Sequence, residues 1–243
     1  MLTALTLCLL FQSSDEAIYI LEEIQYDIPE APTEVTQREI FIGKHHVRTD
    51  RLENGDDVSY VYVPRRSVFY VINRTRKNYF YVLTAKDKHF RQVFDGMATV
   101  KDGSFEIPEN IIYPTNQKQA IGSWFCHEYQ INYPKNFGVI TTIWVTRSFT
   151  ELDRSALKTL WHTSFGTSIS IPYDVRQIVN TLLEELNGAP IRTVTTIDQE
   201  GVKVTTISTI KRIEKQTLND PNFFGIPSGY DLLVDKGLPD GNE

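Results

Sequence analysis

VSYVYVPRRSVFYVINRTRKNYFYVL, residues 58–83, is the stretch whose reading decides how this chain folds. Three runs rich in aromatic and β-branched residues (58–63, 67–72 and 79–83) are separated by Pro64-Arg65-Arg66 and by residues 73–78. Strand formers in the runs, with Pro, Asn and charge at the reversals, predict an antiparallel meander. The stretch holds seven aromatic rings and no catalytic motif.

Working outward, the chain before the meander also reads as strands. Residues 17–28 put Ile18, Ile20, Ile24, Tyr26 and Ile28 on one face at period two, and only Glu22 interrupts that face. Pro29-Glu30-Ala31-Pro32 ends this strand. Residues 35–42 and 45–52 follow as a pair around Gly43-Lys44, and Asn54-Gly55-Asp56-Asp57 is a strong turn signal into the meander. Five or six consecutive antiparallel strands are thus written before residue 85.

Beyond the meander the period changes. Phe90, Val93, Phe94 and Met97 recur at helical spacing, residues 101–116 read as a loop, and residues 121–133 and 137–147 read as strands. Thr150-Glu151-Leu152-Asp153 reads as a capping box, its side-chain oxygens accepting from free N–H groups at a helix start. A second long helix is expected from Asp174, with Val175, Ile178, Val179, Leu182 and Leu186 on one face and Asn187-Gly188 as its stop. Strands 191–197 and 202–213 flank a turn at Asp198-Gln199-Glu200-Gly201. Strands in blocks, interrupted by about three helices, predict an α+β fold rather than a parallel βαβ sheet.

At 243 residues the chain is long enough to bury a sizeable core as one domain. A net charge of −6 argues against bulk nucleic-acid binding, which needs a concentrated basic surface. Arg65, Arg66, Arg74, Arg76 and Lys77 cluster at the meander turns, where charge discourages edge-to-edge pairing. The N-terminus, MLTALTLCLLFQSSDEA, has an apolar run over residues 2–11 that is far shorter than the ~20 residues a membrane span takes. It fits the apolar region of an export signal, although no Lys or Arg precedes it. The expected division is a signal at 1–16, one domain at 17–234 and a disordered polar tail at 235–243. An exported protein of the periplasm or outer envelope, with no transmembrane segment, is the expectation that follows.

The common phosphate-loop, nucleophile-elbow and zinc-protease signatures are absent. His45 and His46 are adjacent and point to opposite faces of a strand, so they cannot grip one ion together. Cys126-His127 diverge for the same reason, and Cys126 reads as a small buried hydrophobe. No enzyme, cofactor or metal site is therefore expected. Strand-borne rings stand out instead, and the side of a broad sheet left uncovered by helices suits an apolar guest. Strand parity and size select Ile20, Ile24, Tyr60, Tyr62, Phe69, Val71, Trp124 and Trp144 as candidate lining residues.

Four segments resemble motifs of one superfamily. Ile121-Gly122-Ser123-Trp124-Phe125-Cys126-His127-Glu128-Tyr129 is similar to its Gly–Tyr–x–Cys–x–x–Tyr strand, and Ile143-Trp144-Val145-Thr146 to its Val-Trp-Val-Thr strand. Gly188-Ala189-Pro190-Ile191-Arg192-Thr193 resembles its entry to the last hairpin, and Phe224-Gly225-Ile226-Pro227-Ser228-Gly229-Tyr230 its closing Phe-x-Ile-Pro-x-Gly-Tyr. These are motifs of exported bacterial domains in the LolA/LppX-like superfamily, the fold of the periplasmic lipoprotein carriers. The resemblance implies a curved antiparallel half-barrel closed by about three helices around a lipid or acyl chain. The function expected is a non-enzymatic binding protein for a hydrophobic small molecule, with an envelope protein as a possible partner. The alternative is an envelope structural or protein-interaction module with a filled core.

Overall fold

The computed structural model describes residues 15–63, 68–83, 112–132, 139–148, 152–153, 155–157, 160, 186, 188–199 and 201–233. The first meander is β1 (Asp15–Asp27), β2 (Glu34–Gly43), β3 (Val47–Glu53), β4 (Asp56–Val63), β5 (Val68–Asn73) and β6 (Asn78–Leu83). The second is β7 (Ile112–Ile121), β8 (Trp124–Asn132), β9 (Val139–Thr146), β10 (Ala189–Gln199) and β11 (Val202–Leu218), and β12 (Asp231–Leu232) closes the described chain.

All twelve strands join one sheet in the order β12-β6-β5-β4-β3-β2-β1-β11-β10-β9-β8-β7. The described strands therefore start at the centre, walk outward to β6, resume at the far edge and walk back until β11 meets β1. That central pair runs antiparallel from Asp15 against Leu218 to Asp27 against Thr205, with one bulge at Leu21/Glu22. Every neighbouring pair is antiparallel except β12 on β6. The turns carry their own conformational signatures. Asn54 and Gly55 both have positive φ (51° and 84°), as a two-residue hairpin of right-handed twist requires.

The expected α+β fold with three covering helices is overturned. Among the described residues 71% lie in strands and 3% are helical, with no helix of seven residues or more, in a single large sheet. Cover over the β2–β6 half comes instead from irregular chain, because residues 219–230 lie across it and pack Phe224, Ile226 and Tyr230 on Val61, Val63 and Ile72. Helical geometry is described at Ser155, Ala156, Leu157, Leu160 and Leu186. There the Asp153 carboxylate accepts from the Ala156 N–H (2.8 Å), as a capping residue does. The helix expected over 90–97, most of that expected over 175–186, residues 1–14 of the expected signal and the tail at 235–243 lie outside the described residues.

Two smaller readings also change. The loop expected over 101–116 gives way at Ile112 to the edge strand β7, whose mostly exposed, polar residues carry little strand signal. Gly122-Ser123, expected inside a strand, is the β7–β8 hairpin turn, with Gly122 at φ +58°.

The main core lies at the centre of one face, where Ile20, Ile40, Ile42, Ala189 and Ile210 meet Ala156 and Leu160. A smaller core, Ile121, Cys126 and Ile191, packs against Trp124 and Trp144.

Candidate functional site

Residues directly paired across strands share a face of the sheet, so the register says which side chains stand together. One row runs Ile213–Ile20–Ile40–Thr49–Tyr60–Val71–Phe80 across β11, β1, β2, β3, β4, β5 and β6. The next row on that face runs Ile18–Ile42–Val47–Tyr62–Phe69. Ile24 stands on the same side of β1, two positions beyond Glu22. Six of the eight candidate residues (Ile20, Ile24, Tyr60, Tyr62, Phe69 and Val71) therefore share one face. Trp144 stands on the other: it pairs with Arg192, which pairs with Thr209, which pairs with Glu23. It packs with Trp124 against Cys126 and Ile191, and Trp124 also reaches the main core.

The two rows grade from closed to open. Ile20 and Ile40 are 0% exposed at the centre, whereas Tyr62 and Phe80 reach 37% and 42% toward the β6 edge. The open end is aromatic: the rings of Tyr60 and Phe69 lie 5.7 Å apart in a tilted contact.

A polar group borders this end. The Arg51 guanidinium lies 4.7 Å over the Tyr60 ring and donates to the Tyr60 hydroxyl (3.1 Å), which donates to Glu53 (2.6 Å). Arg51 and Glu53 also form an ion pair. Burial first, then the Glu53 hydrogen bond, hold the Tyr60 hydroxyl above its ordinary pKa of 10.0, with Arg51 opposing. Tyr60 therefore stays a neutral donor around neutral pH, and its ring edge stays apolar. The sequence reading selected Tyr60 but missed Arg51 and Glu53. The only signal for them was their place in β3 and the turn beside the ring.

Glu22, the polar interruption in the first strand, points into this same face. It pairs with Arg38 directly across β1 and β2 and accepts from the Ser208 hydroxyl, and both charged side chains are 1% exposed. Each charge thus finds its partner inside the sheet face, which removes the penalty an isolated buried charge would carry.

Cys126 is 0% exposed, and burial pushes its thiol from 9.0 up to about 11, which disfavours the reactive thiolate. No three metal-ligating side chains gather among the described residues. Of the Arg cluster at the meander turns, Arg74 pairs with Asp50 (3.5 Å) and Arg76 with Asp56 (2.6 Å). Arg65 and Arg66 lie outside the described residues. No helix among the described residues is long and apolar enough to cross a membrane.

No family model matches the sequence, and no curated protein matches it. Among solved structures, PNGF-II in its C2 crystal form is 8% identical at a TM-score of 0.38, over 89% of this chain and 30% of that one. The P21 form of PNGF-II gives 8% identity and 0.31, over 90% and 31%. A LolA superfamily protein, NE2245 from Nitrosomonas europaea, is 8% identical at a TM-score of 0.30, over 84% of this chain and 86% of that one. The chain spans under a third of PNGF-II and most of the length of NE2245.

Proposed function

We propose that this chain is a non-enzymatic binding protein of the cell envelope that holds a lipid or another acyl-bearing molecule against one face of its sheet. The single observation behind this reading is the graded pair of rows described above. A closed aliphatic centre continues, strand by strand, into an aromatic end that stands partly open. Tyr60, Tyr62, Phe69, Val71 and Phe80 offer ring and aliphatic surface to an extended apolar chain, since apolar contact needs area rather than direction. Ile20 and Ile24 form the floor at the closed end. The Arg51–Tyr60–Glu53 group at the border gives a polar head something to hydrogen-bond.

Export to the periplasm or outer envelope belongs to the same proposal, supported by the apolar N-terminal run of the sequence. Protein purified from an envelope fraction and examined by native mass spectrometry should carry lipid adducts. It should also bind a fluorescent fatty acid with a signal that Phe69→Ala weakens. Neither adduct nor probe binding would remove the reading.

A second reading is a structural or interaction module with a filled core, and the full closure of Ile20 and Ile40 favours it. It expects charge reversal at Arg65, Arg66, Arg74 and Arg76 to abolish capture of an envelope partner while probe binding never occurs. The engagement of Arg74 and Arg76 by Asp50 and Asp56 leaves little free positive charge at those two positions, which weighs against it.

A further inference from the structure

The opposite face of the meander is covered by the C-terminal segment, and its manner of attachment stands out. Residues 219–233 leave the end of β11, cross β2–β5 and end as β12 beside β6. Successive turns shape the crossing: the Asp220 carboxylate accepts from the Asn222 N–H, Asp220 C=O from Phe223 N–H and Asn222 C=O from Gly225 N–H. Two adjacent rings plug into the face. Phe223 meets Phe41 edge-on at 4.7 Å, and the Arg48 guanidinium lies 4.3 Å over it while donating to its carbonyl. Phe224 stacks on His46 at 5.4 Å and sits over Gly43, where an added Cβ would come within 2.8 Å of its ring. Ile226 and Tyr230 then rest on Val61, Val63 and Ile72.

The groove is well formed and its occupant is loosely held. Phe41, Val61 and Ile72 beneath are 6%, 0% and 2% exposed, yet no residue of 219–233 is itself buried. Beyond the rings, the tie is a handful of hydrogen bonds. Asp231 N–H donates to Lys77 C=O, Leu233 N–H to Tyr79 C=O, and Tyr230 hydroxyl to Arg74 C=O at 3.4 Å. Few buried contacts and exposed hydrogen bonds mark a segment that opens well below the free energy of global unfolding.

From this we propose that the β2–β6 face is a segment-binding groove, occupied in cis by residues 219–233 and able to take the same segment from a second copy of the chain. Specificity lies in the order of its features. The Arg48 clasp takes a ring and the carbonyl behind it, the Gly43 notch takes the next ring, and the Val61–Val63–Ile72 floor takes the Ile and Tyr that follow. The β6 edge then adds a parallel strand, which is recognition by strand addition. Cis occupancy keeps the groove closed to other copies, and release of the strap exchanges one for another.

The full-length chain allows the test. Hydrogen exchange on the unmodified protein should find the amides of Gly225, Asp231 and Leu233 exchanging together, about 100-fold faster than the β1–β11 amides. A labelled synthetic peptide of residues 219–233 should bind the Phe224→Ala chain on the order of tenfold more tightly than the unmodified chain, because the variant's own strap competes less. Adding Gly43→Ala to that variant should cancel the gain by closing the notch. Equal protection of the strap and β1–β11 amides would overturn the proposal, since the strap would then leave only on global unfolding. So would a Phe224→Ala chain that gains no affinity for the peptide. Should that variant fail to fold, the milder Phe224→Leu chain carries the same peptide comparison, with the same gain expected and its absence equally decisive.

Discussion

Glu22 and Arg38 stand directly opposite each other across β1 and β2 and form an ion pair with both side chains 1% exposed, on the face that otherwise carries the aliphatic core. Removing one partner strands the other charge in a site that cannot hydrate it. Arg38→Met or Glu22→Gln should each cost about 3–5 kcal/mol, whereas replacing both with apolar residues should cost far less. Urea unfolding of the two singles and the double checks this, and a strongly non-additive cycle is the expected outcome.

Gly188 sits where β10 begins, beside the end of β9. A Cβ there would lie 2.6 Å from both the Thr146 carbonyl oxygen and Val145 Cγ1. Neither neighbour is the free end of a flexible side chain, so backbone must shift. Gly188→Ala should lose about 1–3 kcal/mol, read as a lower midpoint in chemical denaturation. A midpoint unchanged from the parent would mean the β9–β10 junction is looser than its geometry.

Core and rim positions on the candidate face should separate stability from binding. Ile20→Ala removes packed volume at a 0% exposed site and should cost about 2–5 kcal/mol. Tyr62→Ala, at 37% exposure, should cost roughly 1 kcal/mol or less. Tyr60→Ala and Phe69→Ala should weaken fatty-acid probe binding roughly tenfold, the equivalent of one lost ring contact. If Tyr62, Tyr60 and Phe69 variants bind the probe like the parent, the guest does not lie on this end of the sheet.

Cys126 titrates from a buried thiol, with its pKa raised by burial from 9.0 to about 11. The folded state therefore favours the neutral thiol. Its contribution to stability is full below about pH 9, where the unfolded thiol is also protonated, and is lost as pH rises through about 11. Native protein at pH 8 should be inert to a thiol reagent such as an aromatic disulfide, and should react fully only after unfolding. Fast labelling of the native chain would show that the Ile121–Cys126–Ile191 cluster opens locally.

Asp153 accepts from the Ala156 N–H at 2.8 Å, and Ala156 and Leu160 cover the main core. Asp153→Ala should therefore cost about 1 kcal/mol through the lost cap, with Asp153→Asn restoring most of it. Thermal unfolding of the two variants side by side separates the cap from any effect of charge.

Much of the sheet was legible because its signals are local. Period-two alternation over residues 17–28, the Asn54-Gly55 turn and the aromatic runs of 58–83 each follow from neighbouring residues alone, and each lies where strands β1 and β4–β6 form. Parity alone also put Ile20 with Ile24, Tyr60 with Tyr62 and Phe69 with Val71 on one side of their own strands, since side chains alternate along each strand. Other features depended on partners distant in the chain. Nothing near Glu22 announces Arg38 or Ser208, so a buried charge read as a break in the pattern. The polar strand β7 resembled a loop, because an exposed edge strand places little demand on side-chain type.

What the sequence by itself determined is the antiparallel character of the chain, its turns and the side of each strand its side chains take, because backbone conformation and alternation are set within a few residues. What only the tertiary structure decided is how that sheet is ordered and covered. The meeting of β1 with β11, the strap of 219–233 across β2–β5 and the shared face of Tyr60 and Ile20 all join residues far apart in the chain. Such contacts are chosen by the fit of whole surfaces, which no local pattern encodes.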